Sequence, residues 1–272
     1  MSESIFISSA RFTKTIGVLK PFPISLTDRF DVGIWRPWQK FTLFQDLAMQ
    51  VPVTAGDQPV RVIADVSGNN YHWVAPSDAR RGIYREAGGV FAGIDMSGDK
   101  GYSLSGDALG LLSGVSQALA SFAINLDGIS TYRRAFRINT NSNDARLEIA
   151  TGDSAASIYA EARRAAGEAA ARVPITRPAG AHVYSALANY AAGTVSMHID
   201  HNRASQQASG MVAGASSAGV ANGAYLGNFN DQNFSNMRFY GGMVVAGAGI
   251  DESVRLSVEQ YLAENTGIAL VG

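Results

Sequence analysis

One stretch of this chain carries a complete helix signature. Asp251 can accept bonds from the free backbone N–H groups of a first turn, and Glu252 favours the positive helix end. Gly267 follows Asn265-Thr266 as a stop signal. Between them Val254, Leu256, Val258, Tyr261 and Leu262 form a mostly apolar stripe, so a helix is predicted from Asp251 to Asn265. Almost everything upstream reads instead as short apolar or alternating runs cut by Gly, Asn, Asp and Ser. The expectation is an all-β chain closed by one terminal helix.

The strand signals are regular. Ala224-Tyr225-Leu226-Gly227-Asn228 and Met237 to Val245 give two strands around a polar loop, with Gly241 and Gly242 where side chains would crowd. Val60 to Asp65 is an apolar run stopped by Ser67-Gly68-Asn69-Asn70. Gly89 to Met96 is ended by Ser97-Gly98-Asp99-Lys100-Gly101, and Tyr102-Ser103-Leu104 continues after that turn. Ala118 to Asn125 and Ala135 to Ile138 suit buried strands, while Arg146 to Ala150 alternates. Ser154 to Arg172 favours helix by propensity. Yet Ser157 to Arg163 also alternates and Ala166-Gly167-Glu168 sits where a hairpin would turn, so two strands are predicted there. Ala181 to Ala188 and Thr194 to Asp200 form an expected antiparallel pair. Alternation in its second strand sets Val195, Met197 and Ile199 against Ser196, His198 and Asp200. Ser205 to Gly223, rich in small residues, is expected as a loose strand and loops.

At 272 residues, 46% hydrophobic and 17% charged, the chain can bury one large sandwich core, and its 29 glycines suit many tight turns. Lys+Arg and Asp+Glu nearly balance at 22 and 23, which gives no footprint for nucleic acid or an anionic membrane. Cysteine is absent, excluding disulfides, thiolate metal sites and Cys nucleophiles. No basic region leads into a long apolar run at the start, so no signal peptide is expected and synthesis is placed in the cytoplasm. No stretch approaches the length of a membrane span. Ile5-Phe6-Ile7 and Ile16 to Leu19, followed by Pro21 and Pro23, mark residues 1–34 as an arm or docking segment, with a single domain over 35–272. Trp35, Trp38, Phe41 and Phe44 are expected in core or at a subunit interface.

Several spaced pieces share one pattern. They are Leu43-Phe44-Gln45-Asp46 with Val51 to Asp57, Val62 to Asn70, Asp78-Ala79-Arg80-Arg81, Tyr84-Arg85, Ile94 to Tyr102, and the closing strand–loop–strand–helix cassette. In order and spacing they resemble the laminin-G-like, concanavalin A-like jelly-roll modules of phage and prophage tail fibres and spikes, and of the head spikes of gene transfer agents. The likeness covers roughly residues 35 to 268. It implies a concanavalin A-like jelly-roll β-sandwich on the surface of a virion or phage-like particle. Such a module would be non-catalytic, bind a host receptor glycan or capsular polysaccharide, form a homo-oligomer, and attach to a capsid, tail or spike-base protein through the arm. A structural decoration protein and, less favoured, a polysaccharide depolymerase are the alternatives. Two departures stand out: Met96 occupies the usual Gly of the Asp95 to Asp99 turn, which also carries one extra residue, and Arg81 replaces the usual Pro.

Sugar binding needs aromatic faces beside planar polar groups. Asn69, Asn70, Tyr71, His72 and Trp73 offer that combination at a loop–strand junction, with Trp73 equally suited to anchor the core and each tyrosine to partial core burial. Tyr84, Tyr102 and Tyr132 with Arg133 and Arg134 are further candidates, the arginines for an acidic polysaccharide. Phe229, Asn230 and Asp231 open a polar loop that Phe234 closes, facing ligand or a second subunit. Asp95 and Asp99, with Asn69 and Asn70, supply the oxygen ligands that Ca2+ takes, though the same residues beside Gly are ordinary turn formers. His198 and His201 converge on a metal only if the chain bends at Asp200. Glu86, Glu148 and Glu161 stand isolated, without the closely spaced carboxylates of concanavalin-type glucanases, so no catalytic residue is expected.

Overall fold

A computed structural model of the chain describes residues 26–86, 92–104, 109–126, 132–139, 144–152, 154, 156–201, 204–219, 221, 223–228 and 235–271. In chain order the strands are β1 (Asp31–Trp35), β2 (Leu43–Phe44), β3 (Pro59–Val60), β4 (Val62–Ile63), β5 (Trp73–Val74), β6 (Gly82–Arg85), β7 (Gly93–Asp95), β8 (Tyr102–Leu104) and β9 (Gln117–Asn125). They continue as β10 (Arg134–Asn139), β11 (Ala145–Thr151), β12 (Ser157–Ala162), β13 (Ala171–Thr176), β14 (Ala181–Asn189), β15 (Thr194–Ile199), β16 (Ala204–Ser209), β17 (Ala224–Leu226) and β18 (Arg238–Gly247). Helix α1 (Glu252–Thr266) follows. The strands form two antiparallel sheets. The helix-side sheet runs β16-β15-β14-β9-β18-β7-β6-β3, with β1 also paired to β18, and the distal sheet runs β13-β12-β11-β10-β17-β8-β5-β4-β2.

The central strands show why the sequence stacks this way. In β9, Ala118, Ala120, Phe122 and Ile124 face the core between the sheets. Leu119 and Ala123 on the opposite face join a second cluster with Val254, Val258 and Leu262 of α1. A strand covered on both faces must be apolar on both, which is why this segment reads as a continuous run. The core centres on aromatic rings: Trp35 lies 5.2 Å from Trp73 and Phe122 lies 4.6 Å from Phe136. The glycines of β18 make this packing fit. A Cβ on Gly242 would stand 2.3 Å from Phe122, and one on Gly241 would stand 2.1 Å from Trp38. Asp251 caps α1 by accepting from Val254 N at 3.0 Å, and Gly267 ends it in the left-handed region at φ 75°. Two strands do flank the Gly167 turn, at φ 76°, but the second, β13, starts at Ala171 and runs on to Thr176, past the predicted end at Arg172.

Two expectations change. The boundary between 34 and 35 falls inside β1, whose Asp31 to Trp35 pair with Ala246 to Gly242. Leu26 and Phe30 are buried with α1, so the domain already includes residue 26, and the rest of the expected arm lies outside the described residues. The run Val60 to Asp65 is not one strand: Val60 pairs with Gly82 in the helix-side sheet, and Val62 pairs with Phe44 and Val74 in the distal sheet. The chain changes sheets at Arg61. Of the aromatic quartet, Trp35 is core and Trp38 packs edge-on to Tyr261 at 6.2 Å, whereas Phe41 is 68% exposed. Among the described residues no helix is long and apolar enough to cross a membrane.

Candidate functional site

The loop from Asn69 to His72 is tied to its own fold. The buried Asp65 carboxylate accepts from Ile34 N at 2.8 Å, Ser67 N at 2.9 Å and Tyr71 N at 3.1 Å. Tyr71 donates its hydroxyl to Asp31 at 2.8 Å, and Asn69 donates to Val32 O at 2.9 Å. His72 Nδ1 accepts from Asp65 N at 2.9 Å, and burial lowers its pKa. These polar groups pin the β4–β5 hairpin onto β1, while Asn70 is exposed in the left-handed region at φ 61°. Trp73 and Tyr102 drop out as ligand-binding residues and take the core alternative: both are fully buried between the sheets. Tyr102 donates to Val60 O at 2.9 Å and accepts from Gly82 N at 3.0 Å, so its hydroxyl closes the core rather than meeting a ligand. Phe229, Asn230 and Asp231 lie outside the described residues.

The calcium expectation also loses its geometry. Asp95 accepts from Ser97 N at 3.0 Å and Ser97 Oγ at 2.6 Å, the ordinary bonds of an Asx turn. Burial raises its pKa, but the Ser97 bonds and the charges of Arg238 and Arg85 outweigh that and hold it below the usual range. Two guanidinium groups beside a carboxylate oppose a divalent cation. Asp99 is exposed, and no group of three metal-ligating side chains occurs among the described residues. His198 and His201 likewise part: His198 lies between Ser196 and Ser205, and His201 meets Glu259 at 2.9 Å.

What the topology does bring together is a polar row on the outer face of the distal sheet. Register places Tyr225 opposite Arg137, Arg137 opposite Glu148, Glu148 opposite Glu161, and Glu161 opposite Arg172. Alternation puts them on this face because Leu147, Ile149, Ile158 and Ala160 take the core side. The Glu148 carboxylate accepts from Arg137 Nη1 and from the Tyr159 hydroxyl, and Arg134 Nε stands 3.7 Å away. Arg134, one of the predicted site residues, thus belongs to this row, and Arg133 reaches its edge through a backbone bond to Thr151 Oγ1 at 2.8 Å. Burial, reinforced by the Glu148 charge, raises the pKa of Tyr159. The same two causes raise Glu161, against Arg172, Arg163 and Arg137.

At one end of the row lies a pocket of about 350 Å³ lined by Gly152, Ser154, Ser157, Tyr159, Arg172 and Pro174. The Arg172 guanidinium sits 3.6 Å over the Tyr159 ring. Pro174 is tolerated because β13 is an edge strand. A Cβ at Gly152 would stand 2.3 Å from Ser157 Oγ, so glycine keeps this end of the pocket open. Exposed Tyr132 adjoins it, donating its backbone N–H to Gly152 O at 3.3 Å. With the Tyr159 ring only 3% exposed beneath the guanidinium, the cleft presents the Pro174 pyrrolidine, a planar cation and two hydroxyls, which is the chemistry of a polar small-molecule site. Sequence reasoning singled out neither Tyr159 nor Arg172, although the Gly167 turn fixes Pro174 opposite Tyr159.

No protein-family model and no curated protein matches the sequence. Solved structures do. The binding domain of botulinum neurotoxin DC in complex with rat synaptotagmin II aligns with TM-score 0.54 and 10% identity over 88% of this chain and 52% of that one. The botulinum neurotoxin type C structure concerned with two ganglioside molecules gives the same TM-score, identity and coverage. An arabinofuranosidase complexed with arabinofuranosyl-alpha-1,2-xylobiose aligns with TM-score 0.50 and 14% identity over 76% of this chain and 51% of that one. The fold is a concanavalin A-like jelly roll. This chain spans about half the length of these structures, and at such identities the likeness is one of fold.

Proposed function

We propose that this jelly roll is a non-catalytic glycan-binding module and that the sugar docks in the pocket beside Tyr159 and Arg172. The observation that carries the reading is the guanidinium stacked on the Tyr159 ring above a cleft that Pro174, Ser154 and Ser157 complete. A sugar ring presents an apolar face and a rim of hydroxyls, and this lining offers partners for both. The fold neighbours support the class, since botulinum neurotoxin type C enters cells through two ganglioside molecules and the arabinofuranosidase holds a xylobiose derivative. Binding without hydrolysis is favoured because Glu148, the carboxylate opposite Glu161, is only 1% exposed beneath Arg137 and Tyr159. A glycosidase needs both carboxylates at the scissile bond. The order and spacing of the turns that resemble phage fibre and spike modules support a place on a phage-like particle. There the module works as a homo-oligomer attached through its first residues.

A glycan array probed with the wild-type protein and with Ser157→Phe, which fills the pocket, tests the binding reading. Retention on at least one host-surface polysaccharide, lost in the variant, is expected; no retention by the wild type on any glycan would sink it. A reducing-end release assay on each bound polysaccharide is expected to stay at background, and release would make the protein a depolymerase. Immunogold labelling of particles shed by cells carrying the gene is expected to decorate spikes or fibres. Unlabelled particles would remove the virion reading and leave the binding one.

A further inference from the structure

We infer that the free edge of β16 joins two copies of this chain, the strand Ala204–Ser209 pairing antiparallel with its own copy across a twofold axis at Gln207. This rests on the homo-oligomer part of the proposed function and names its contact; it does not depend on glycan binding. The other sheet edges are short, covered or blunted. Strands β2 and β3 have two residues each, β3 begins with Pro59, and β2 is bordered by Val51 O and Val53 N. The outer side of β1 meets the Asp65 carboxylate, Val66 N and the Asn69 amide. Strand β13 carries Arg172 and Pro174. Shortness, cover, charge and proline are the devices that keep a sheet from pairing with another chain. Strand β16 uses none of them. It is six residues long, without charge, proline or glycine, and Ser205, Gln206, Gln207 and Ser209 are exposed.

The ladder shows which backbone groups point to solvent. Asp200 donates its N–H to Val183 O at 2.9 Å, so along β15 the N–H groups of Ser196 and His198 also turn to β14, and those of Val195, Met197 and Ile199 turn to β16. These three stand opposite Ala208, Gln206 and Ala204, which hold the bonds between the two strands. Ser205, Gln207 and Ser209 therefore aim N–H and C=O away from the sheet, with no backbone partner among the described residues. The strand reads almost alike in both directions, Ser205-Gln206-Gln207-Ala208-Ser209. Paired antiparallel about Gln207, Ser205 falls opposite Ser209 and Gln207 opposite its own copy. All three outward residues then meet in hydrogen-bonded pairs, whereas a shift of one residue would set outward groups against inward ones. Ala204 and Ala208 pack on the core, so Ser205, Gln207 and Ser209 lie on the outer face. There hydroxyls and a pair of amides meet without repulsion. A charged or apolar foreign strand finds neither counter-charge nor apolar surface on β16, while a second copy matches by symmetry.

Analytical ultracentrifugation of the full chain across the micromolar range tests this, with variants centred on one position. The wild type is expected as a monomer–dimer equilibrium. Gln207→Pro deletes an outward N–H that β15 does not use, and should raise the dimer dissociation constant by roughly tenfold or more. Gln207→Lys and Gln207→Glu change only an exposed side chain. Each should be monomeric alone, because like charges face each other at the axis, and an equimolar mixture should recover the dimer. The chain has no cysteine, so Gln207→Cys reads the register directly. Opposed residues of a hydrogen-bonded pair have Cα atoms about 5.5 Å apart, within disulfide reach, and mild oxidation should give a cross-linked dimer. Ser205→Cys, whose copy would stand roughly 14 Å away, should stay unlinked. A dimer unchanged in Gln207→Pro and unlinked in Gln207→Cys would overturn this interface and leave the homo-oligomer reading standing. A trimer would do the same, since a twofold contact cannot close one. A wild type that is monomeric throughout removes both. Glycan retention, scored on the same preparations, decides the binding reading separately, and melting curves show that each variant folds.

Discussion

Beneath α1 the buried Arg255–Glu259 pair of the helix closes on itself and on the His201 backbone, whereas on the distal sheet the charges answer one another across strands and leave a cleft at one end. On the helix side, Arg255 and Glu259 are both fully buried; Arg255 Nη1 meets both Glu259 oxygens at 2.7 Å and His201 O at 3.0 Å. Glu259 also accepts from His201 N at 3.1 Å. Close by, Asp200 meets His182 Nδ1 at 2.6 Å and accepts from Val183 N at 2.9 Å. On the distal side, Arg137, Glu148, Tyr159 and Arg172 form a comparable chain, but its last member reaches a pocket. Buried ion pairs alone therefore do not mark a site. The difference lies in whether the network ends inside the fold or at a surface shaped to receive something.

The largest expected effect tests the structural half of this contrast. Glu259→Ala takes from Arg255 its fully buried partner and leaves it the half-exposed Glu252, so the loss should fall at the low end of the roughly 3–5 kcal/mol for breaking a buried pair. Urea unfolding should show that loss, together with fraying of α1 in hydrogen exchange. Glycan affinity per folded molecule should not move. A parallel fall in affinity would mean that the two faces are coupled and would break the comparison.

Acid separates the faces next. Burial, aided by the Arg255 charge and opposed by Glu252, pushes His198 down from 6.5 to about 4. Below pH 6.5 the unfolded chain takes up a proton that the folded chain refuses. Stability is therefore lost as pH falls from 6.5 towards 4, by an amount on the order of 3 kcal/mol from this residue. Glu161 acts with the opposite sign. Its raised pKa lets the folded state keep a proton that the unfolded state has released, so its contribution is present in acid and lost as pH rises through the folded pKa. His198→Asn should flatten the acid limb of the urea midpoint, and Glu161→Gln should raise the midpoint at neutral pH. Parallel curves for wild type and both variants would remove the assigned origins.

Legibility in the sequence followed the range of the interaction. The capped helix and the Gly167 hairpin were readable because their signals are local: once the turn is placed, residues equidistant from it must pair, which puts Arg172 opposite Glu161 and Pro174 opposite Tyr159. Applied to the preceding turn, the same reasoning would have set Glu148 against Glu161, two carboxylates that look isolated along the chain. Trp73 and Tyr102 suited both core and site in the sequence because β5 and β8 are too short for alternation to reveal which face is inward, and the structure decides for the core. Strand β1 was read as an arm because its partner, β18, lies at the far end of the chain and leaves no local trace. The site itself was hidden in this way: its lining comes from three segments whose nearness only register supplies.

The smallest expected effect on stability bears most directly on the pocket. In Gly152→Ala the new Cβ would start 2.3 Å from Ser157 Oγ. That oxygen is the end of a short side chain, and rotation about χ1 can carry it away, so the fold should lose less than about 1 kcal/mol. The methyl group then occupies the end of the cleft that glycine keeps open, and the displaced hydroxyl no longer meets the ligand. Affinity should fall by roughly threefold to tenfold, the equivalent of about 1 kcal/mol of contact. On the helix side a change of similar size, Ser253→Ala, removes a hydroxyl that donates to the Asp251 cap at 2.6 Å and should leave binding untouched. Calorimetry on the two variants side by side isolates the pocket from general loosening. Equal affinities in both would move the ligand away from Gly152 and with it the proposed distinction between the faces.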